Sequence, residues 1–195
     1  MKKKTPILSA PTAEQVEAEL KREKYHTRYR STLKSTVYIL IVVSAVAVLV
    51  ATLWMPVLQI YGSSMTPTLS EGEIVVSLKS KNFTLGDVVG FWYGNKLLVK
   101  RVIAGPGDWV DIDADGYVYI NGEQLDEPYV YERAFGDCNI SLPYQVGDER
   151  YFLMGDHRST SSDSRNALIG CIPEEQIVGR IVWRVWPFAS FGKVQ

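Results

Sequence analysis

The chain has 195 residues, of which 46% are apolar and 22% charged, and its formal net charge is −1. This length allows one modest domain with its own core and leaves room for an appended segment. The charge is uneven, because residues 1–34 carry nine Lys and Arg against four Glu and the remainder carries a net −6. A basic head favours either a nucleic acid or a membrane surface as partner, and the next segment decides between them.

That next segment, residues 37–54, reads VYILIVVSAVAVLVATLW and contains no charge. At 1.5 Å per residue it nearly matches the roughly 30 Å hydrocarbon core of a bilayer. Lipid favours a helix here, because every backbone polar group must be satisfied within the segment. Tyr38 and Trp54 lie near its ends, as interfacial aromatic residues do. We predict a transmembrane anchor over residues 36–56.

Two other interpretations of this segment are weaker. A buried core helix would need an equally apolar partner segment, which the sequence lacks, and a cleaved secretory signal would begin earlier and be shorter. The basic flank predicts a cytoplasmic tail over residues 1–35 and an extracytoplasmic domain over residues 57–195, in a single-pass protein of the cell membrane. The lipid bilayer is therefore a predicted partner, and a nucleic acid is not.

The two cysteines, Cys138 and Cys171, both fall on the outer side, where a disulfide is permitted. Their pairing stays open, although the apolar stretch LIGCIP around Cys171 better suits a small buried thiol. The chain has no CxxC motif and no cluster of His and Cys, so we expect neither a metal nor a cofactor.

From residue 57 onward, short runs rich in β-branched and aromatic residues alternate with glycine-containing turns. The runs include EIVVSL, DVVGFWY, KLLVKRVIA and IVGRIVWRVW, and the turn Asn121-Gly122 predicts a hairpin. No amphipathic helical pattern interrupts them, so the predicted fold class is mainly β, preceded by the single membrane helix. Residues 126–147 are the least regular part and predict a long surface excursion.

The stretch GSSMTPTL at residues 62–69 holds four hydroxyl groups, two on adjacent serines after a glycine and two in the stiff Thr-Pro-Thr segment that follows. Pro67 fixes its own φ and Gly62 allows close backbone approach, which would hold a hydroxyl at an exposed place. The stretch is either an ordinary polar loop or a loop that positions a hydroxyl group as a nucleophile. A serine nucleophile needs a base. His26 lies on the cytoplasmic side of the predicted anchor, and His157 stays open as a candidate base.

Lys100 is the lysine with apolar neighbours in sequence. It interrupts the run KLLVKRVIAG, and a two-residue period puts it on the same strand face as Leu98, Val102 and Ala104. A lysine shielded from water in this way can lose its proton and act as a base. The alternative is a lysine that extends past its neighbours into solvent. Arg101 points to the opposite face and needs its own counter-charge.

A third polar cluster, GDHRSTSSDSRNA, spans residues 155–167. Its serines could orient a neutral lysine, whereas a nearby carboxylate would raise the lysine pKa. Asp163 and Arg165 could form a rigid ion pair beside them, and the alternative is a solvated polar loop. The S-x-x-K pattern of penicillin-binding enzymes also occurs at residues 31–34 and 190–193, but neither copy has the partner motifs.

Taken together, these clusters resemble the type I signal peptidases, the membrane-bound leader peptidases with a Ser–Lys dyad. Four stretches in family order carry the similarity: GSSMTPTLSEGEIVV, LGDVVGFWY, KRVIAGPGD and MGDHRSTSSDSRNALIGCIPEEQIVGRIVWRVWP. The resemblance implies a twisted antiparallel β-sheet catalytic domain with an apolar edge at the bilayer. It also implies a serine endopeptidase that removes N-terminal signal peptides from exported preproteins, with small residues at positions −1 and −3.

The resemblance further implies roles for particular residues. The serine before the methionine, Ser64, is the nucleophile, and Lys100 is the general base of an acyl-enzyme mechanism. Residues 58–62 pair with an extended substrate by strand addition. The residues implied to orient and brace the lysine are Ser161, Asp163, Arg165 and Arg101. The residues implied to contact the substrate are Leu58, Ile60, Gly62, Met65, Leu69 and Leu98.

The chain departs from the family pattern at two positions. In some members a serine two positions before the nucleophile donates to the oxyanion, but Gly62 stands there, which leaves the second donor open. His157 stands where the family commonly has Asn. The short excursion is similar to that of the compact Gram-positive enzymes. A dedicated pilin-processing or pilus-assembly homologue is the alternative function, because specificity depends on the shape of the pockets.

Overall fold

The computed structural model describes residues 13–194, so residues 1–12 of the predicted cytoplasmic tail, and Gln195, lie outside the described residues. The chain divides into two compact units, Met1–Val50 and Ala51–Gln195. A long helix accounts for the described part of the first unit, and the second unit contains the β strands.

Helix α1, Ala13–Trp54, is one element of 42 residues with no buried residue. Its sequence contains no glycine or proline, so nothing interrupts the backbone ladder between the charged lead-in and the apolar segment. The helix ends shortly before Pro56, because a proline disfavours helix in the residue before it. The helix is long and apolar enough to cross a membrane. The predicted boundary near residue 36 is thus a change of composition within one continuous helix.

The second unit consists of short strands joined by turns. The strands are β1 (Val57–Gln59), β2 (Ile74–Leu78), β3 (Val88–Tyr93), β4 (Lys96–Ala104), β5 (Trp109–Ile112), β6 (Val118–Ile120), β7 (Glu123–Gln124), β8 (Tyr144–Gln145), β9 (Arg150–Met154), β10 (Ile172–Pro173), β11 (Ile177–Trp186) and β12 (Gly192–Lys193), with single 3₁₀ turns at Glu174–Gln176 and Phe188–Ser190. Neighbouring strands pair antiparallel throughout the described residues. The predicted fold class, mainly β with one N-terminal apolar helix, is confirmed.

Two sheets share the strands. The larger has the order β1-β2-β11-β3-β4-β9-β10, with β12 beside β11, and the smaller has the order β7-β6-β5-β8. The hairpin between β6 and β7 turns at Asn121 and Gly122, whose φ angles of 54° and 87° are those of the primed turns that suit twisted strands. Strand β11 shifts register twice against β2, and such bulges increase the local twist.

The larger sheet curls until its first strand approaches strands that are distant in sheet order. A Cβ atom placed on Gly90 of β3 would lie 3.2 Å from Leu58 Cδ1 of β1, although β2 and β11 separate these strands in the sheet. Sheet twist of the usual hand accumulates to give this approach. The curl brings residues 58–62 beside β4, which carries Lys100.

The predicted alternation of side chains between the two faces of β4 holds for Leu98, Lys100 and Val102. It does not extend to Ala104. Register between β4 and β9 shifts between Val102 and Ala104. Beyond the shift, Ile103 and Ala104 are both fully buried in one apolar cluster, which also contains the core of the smaller sheet. The local bulge therefore replaces the two-residue period at this end of the strand.

The irregular excursion, residues 126–147, is fixed to the domain at several points. It contains only the short strand β8, yet Glu127, Val130 and Val146 are buried. Cys138 lies in this excursion and Cys171 in the core, and both are free thiols. The cysteines therefore do not pair in this structure.

Candidate active site

Two side chains that the sequence analysis singles out meet in the second unit. The Nζ atom of Lys100 lies 2.6 Å from the Oγ atom of Ser64, although 36 residues separate them in sequence. Lys100 comes from the middle of β4 and Ser64 from the loop after β1. Lys100 is only 3% exposed, so its side chain does not extend into solvent.

The surroundings of Lys100 favour its neutral form. Burial is the largest effect and lowers the pKa of the amine to about 8, because the charged form loses its hydration. The carboxylates of Asp163 and Asp156 act in the opposite direction and raise the pKa, while the Arg165 guanidinium lowers it. Desolvation outweighs both carboxylates, so about a tenth of Lys100 is neutral at pH 7, far more than for a lysine in solvent.

The loop that carries Ser64 is anchored by its apolar residues. Met65 and Leu69 are 2% and 0% exposed, and the Leu69 N–H donates a 2.9 Å hydrogen bond to the Met65 carbonyl. The Ser64 carbonyl accepts a 3.1 Å hydrogen bond from the backbone N–H of His157. Gly62 has a φ of +80°, which L side chains rarely adopt, and this gives a physical reason for glycine at this position.

His157 thus contacts Ser64 through its backbone. Its Nδ1 atom is buried and has no hydrogen-bond partner among residues 13–194. The hydrogen bond of the Ser64 hydroxyl is with Lys100. This geometry favours Lys100 over His157 as the base beside Ser64.

Gly155 brings the polar cluster of residues 155–167 against the serine loop. A Cβ atom at Gly155 would lie 2.5 Å from the Ser64 carbonyl oxygen and would also overlap the Ser161 hydroxyl. The Gly155 N–H donates a 3.0 Å hydrogen bond to Asp163 Oδ2. The absence of a side chain at Gly155 therefore permits the close approach of the two segments.

Ser161 is buried next to Gly155, with 4% exposure. Within the described part of the chain, its Oγ atom has no hydrogen-bond partner, so it is not bonded to the amine of Lys100. Its role in orienting the lysine, which the resemblance implies, therefore stays a prediction.

Two buried arginines beside the site are each paired with a carboxylate. Asp163 binds Arg165 through contacts of 2.8 and 2.9 Å, which is the pair that the sequence analysis names. Arg101 is bound at two points by Asp156, with distances of 2.9 and 2.8 Å. Asp156 is the counter-charge that the sequence analysis requires for Arg101 but does not identify. Its position directly after Gly155 in the polar cluster is the signal that could have indicated it.

A third buried arginine, Arg158, is paired with Glu127 of the excursion through two hydrogen bonds, one of them from Nη1 at 3.1 Å. Its Nε atom donates to the Gly155 carbonyl at 3.1 Å. The ring of Tyr129, also from the excursion, lies 3.9 Å from the guanidinium carbon of Arg101. Sequence reasoning missed Glu127 and Tyr129, because the excursion has no periodic pattern that would predict which side chains point inward.

A narrow cleft of about 40 Å³ reaches Ser64 and Lys100. Residues 97–99 line one side of it, and because β9 pairs with β4 only from Arg101 onward, they present an unpaired strand edge. Five of the six residues implied to contact substrate line this cleft, namely Leu58, Ile60, Gly62, Met65 and Leu98. Leu69 instead lies fully buried in the core, because the turn that begins at Met65 directs it inward.

We expect the Glu127→Gln variant to lose about 3–5 kcal/mol of unfolding free energy, because it leaves the buried Arg158 without a counter-charge. Denaturant unfolding of the full chain in detergent micelles, followed by circular dichroism, measures this. The matched control is Glu19→Gln, because Glu19 forms an exposed 3.8 Å pair with Arg22. The control should change stability by less than about 0.5 kcal/mol. Equal effects of the two substitutions would contradict the prediction.

Comparison with known proteins identifies the family. Residues 32–186 match the family described as "Signal peptidase, peptidase S26". The chain is 40% identical over 154 residues to signal peptidase IB of Staphylococcus aureus (strain COL), covering 68% of this chain and 78% of that protein. It is 34% identical over 187 residues to signal peptidase I of Bacillus amyloliquefaciens, covering 90% of this chain and 100% of that protein. A crystal structure of a signal peptidase I from Enterococcus faecalis V583 matches with a TM-score of 0.44 and 24% identity, over 51% of this chain and 96% of that one. The chain therefore belongs to the type I signal peptidases, serine peptidases of the S26 family.

Proposed function

We propose that this signal peptidase cleaves exported preproteins with Ser64 as the nucleophile and Lys100 as the general base. The observation that carries the proposal is the 2.6 Å approach of Lys100 Nζ to Ser64 Oγ at a buried lysine. A serine hydroxyl is a weak nucleophile without a base, and a lysine serves as a base only when it is neutral. Desolvation of Lys100 favours this neutral form, because burial lowers the pKa of its amine.

Acylation begins when the neutral amine of Lys100 takes the hydroxyl proton of Ser64. Ser64 Oγ bonds to the scissile carbonyl carbon and forms a tetrahedral oxyanion. The oxyanion collapses, the C–N bond breaks, and the ammonium of Lys100 gives its proton to the departing amine. The signal peptide stays on Ser64 as an ester. In deacylation, Lys100 takes a proton from a water molecule that attacks the ester, and this proton returns to Ser64 as the signal peptide leaves.

The oxyanion is stabilised by the backbone N–H of Ser64. Among residues 13–194, this N–H makes no hydrogen bond, so it is available as a donor without reorganisation. Gly62 supplies no side-chain donor, in contrast to family members with serine there. Its φ of +80° and the open space around it keep the backbone next to the nucleophile uncrowded.

The cleft beside Ser64 accepts the signal-peptide side of the substrate as an added strand. The unpaired edge of residues 97–99 offers backbone hydrogen bonds, and the side chains of an extended strand alternate between its two faces. A cleft of about 40 Å³ leaves little space for the side chains that point into it. Small residues at positions −1 and −3 therefore fit best.

The apolar part of α1 anchors the enzyme in the bilayer. Residues 1–35 form the cytoplasmic tail, residues 36–56 the membrane span and residues 57–195 the extracytoplasmic peptidase domain, in accordance with the basic flank before the span. Tethering of the enzyme concentrates it at the surface where signal peptides are delivered.

An exposed aromatic group on the peptidase domain supports contact with the bilayer. It comprises Trp183, Trp186, Phe188 and Phe191, which are 40%, 48%, 76% and 60% exposed. Amphipathic tryptophans favour the membrane–water interface. Of the two candidate functions, general signal-peptide processing is favoured, because no observation on this chain supports the dedicated pilin-processing alternative.

The dyad is tested by cleavage of a preprotein in detergent or liposomes. We expect Ser64→Ala and Lys100→Ala each to lower kcat/KM by at least about 10³-fold, because nucleophile and base act as one unit. Ser63→Ala is the matched control, since Ser63 is an adjacent exposed hydroxyl, and it should retain activity within about threefold. Retained activity in Ser64→Ala or in Lys100→Ala would overturn the proposal.

The pH dependence of kcat/KM reports the protonation of Lys100. Because the neutral amine is the active form and its pKa is about 8, kcat/KM should rise about tenfold per pH unit below that value and level off above it. Initial rates measured on a short peptide substrate between about pH 5 and 10 test this. A profile that is flat across pH 8, or that falls as pH rises through it, would contradict a lysine base.

Gly155→Ala tests the close approach of the polar cluster to Ser64. We expect kcat to fall by about 10²-fold, because the new Cβ displaces the Ser64 backbone and small displacements of a nucleophile are costly. Gly192→Ala is the control, because a Cβ at Gly192 meets no atom within 4 Å and the residue has no positive φ. If the two alanine variants have the same kcat, the contact does not position the nucleophile.

A further inference from the structure

The ion pair between Arg101 and Asp156 joins the three segments that form the site. Arg101 follows Lys100 in β4, and Asp156 belongs to the polar cluster. Thr68 of the serine loop donates a hydrogen bond to Asp156 Oδ2 and accepts one of 3.2 Å from Arg101 Nη2. Both members of the pair are 1% exposed. The proposed function as described so far gives no role to the side chain that covers this pair.

Hydrogen bonds occupy the edge of the Arg101 guanidinium. Its Nε and Nη2 atoms donate to Asp156 at 2.9 and 2.8 Å, and its Nη1 atom donates to the Gly86 carbonyl at 2.7 Å. One face of the group lies against the ring of Tyr129, whose centroid is 3.9 Å from the guanidinium carbon. An aromatic face attracts a cation most strongly where water is excluded. Tyr129 therefore stabilises a charge that has almost no contact with water.

Tyr129 belongs to the irregular excursion and is held in place by Glu127. The Tyr129 hydroxyl donates a 3.3 Å hydrogen bond to Glu127 Oε1, and Glu127 in turn binds Arg158. Glu127 and Arg158 are 2% and 0% exposed, whereas Tyr129 is half-buried. The ring thus lies at the boundary between the buried charges and solvent. No strand includes Tyr129, so these side-chain contacts fix its position.

The charges that face Lys100 show why this cover matters. Burial has the largest effect and lowers the pKa of the amine, and the Arg165 guanidinium lowers it as well. The carboxylates of Asp163 and Asp156 raise this pKa. Arg101 compensates the charge of Asp156 through its two hydrogen bonds. The protonation of Lys100 therefore depends on how firmly Arg101 is held against Asp156.

We propose that Tyr129 is a positioning residue for catalysis, whose ring holds Arg101 against Asp156 and so keeps the Lys100 amine neutral. The inference rests on the proposed function, since it takes Lys100 as the base. Without the ring, water reaches the ion pair and Arg101 compensates Asp156 less completely. Both changes favour the ammonium form of Lys100, because the charge regains hydration and faces a stronger carboxylate.

A second contact between an arginine and a tyrosine provides a matched comparison. The guanidinium carbon of Arg133 lies 4.7 Å from the centroid of the Tyr117 ring. Arg133 is exposed, Tyr117 is 36% exposed, and neither lines the narrow cleft beside the dyad. Loss of the Tyr117 ring removes the same kind of contact from an arginine that water already stabilises.

The test measures kcat/KM of the full chain in detergent micelles between about pH 6 and 10, on a short peptide substrate. Tyr129→Leu removes the ring, Tyr129→Phe retains it, and Tyr117→Leu is the control. Burial raises the pKa of the Tyr129 hydroxyl, so the ionisation of this group does not contribute to the profile in that range.

We expect the midpoint of the Tyr129→Leu profile to lie about 0.5 pH unit or more above that of wild type. Near pH 7 this shift lowers kcat/KM about threefold, and near pH 10 the variant should return to within about twofold of wild type. Tyr129→Phe and Tyr117→Leu should both keep the wild-type midpoint. A contact that serves stability alone would instead lower kcat/KM by the same factor at every pH.

A Tyr129→Leu profile with the wild-type midpoint would overturn the inference, and so would a Tyr129→Phe profile that shifts as far. Tyr129→Gln is a second variant without the ring, and circular dichroism measures whether each variant is folded. Loss of the fold in both would indicate a structural role and overturn the inference too. Failure of the underlying function has a different signature, in which the wild-type profile is itself flat or Ser64→Ala remains active.

Discussion

A lysine amine that is buried away from water loses its proton more readily than one in solvent, and the fold buries Lys100 in this way. The lowering of its pKa from 10.5 to about 8 corresponds to a cost of roughly 3 kcal/mol for charging the buried amine. In the proposed mechanism, this cost is what allows a lysine to act as the base for Ser64 near neutral pH. The surrounding segments exclude water from Lys100, and this burial favours the neutral form of the amine.

The buried ion pairs explain how such a site tolerates carboxylates nearby. Asp156 and Asp163 both raise the pKa of Lys100, but each is bound by an arginine that compensates its charge. A buried charge is costly unless it is paired and hydrogen-bonded. The cluster is thus rigid and electrostatically balanced, and desolvation remains the dominant influence on the amine.

Local patterns predicted much of the fold and pointed to Lys100, whereas the choice of Ser64 among the neighbouring hydroxyls came from the family resemblance. Strand runs and glycine turns indicated a β domain, the apolar run indicated the helix, and apolar neighbours distinguished Lys100 from the other lysines. The pairing of Arg101 with Asp156, and of Arg158 with Glu127, depends on contacts across 55 and 31 residues that no local pattern encodes. Ala104 was misplaced because a bulge has no clear signature in an apolar strand, and the inward direction of Leu69 follows from a turn in the loop.

The close approach of Leu58 to Gly90 lets the sheet influence the shape of the cleft beside Ser64 and Lys100. A Cβ atom at Gly90 would meet Leu58 Cδ1 at 3.2 Å and Leu97 Cδ1 at 3.9 Å, and both leucines line the cleft. The separation of the Leu58 and Leu97 walls therefore depends on Gly90, a residue that does not itself line the cleft. Enzymes that share every cleft-lining residue could still prefer different signal peptides, if they differ at the position of Gly90 in β3. Preference could then drift during evolution while the catalytic groups stay unchanged.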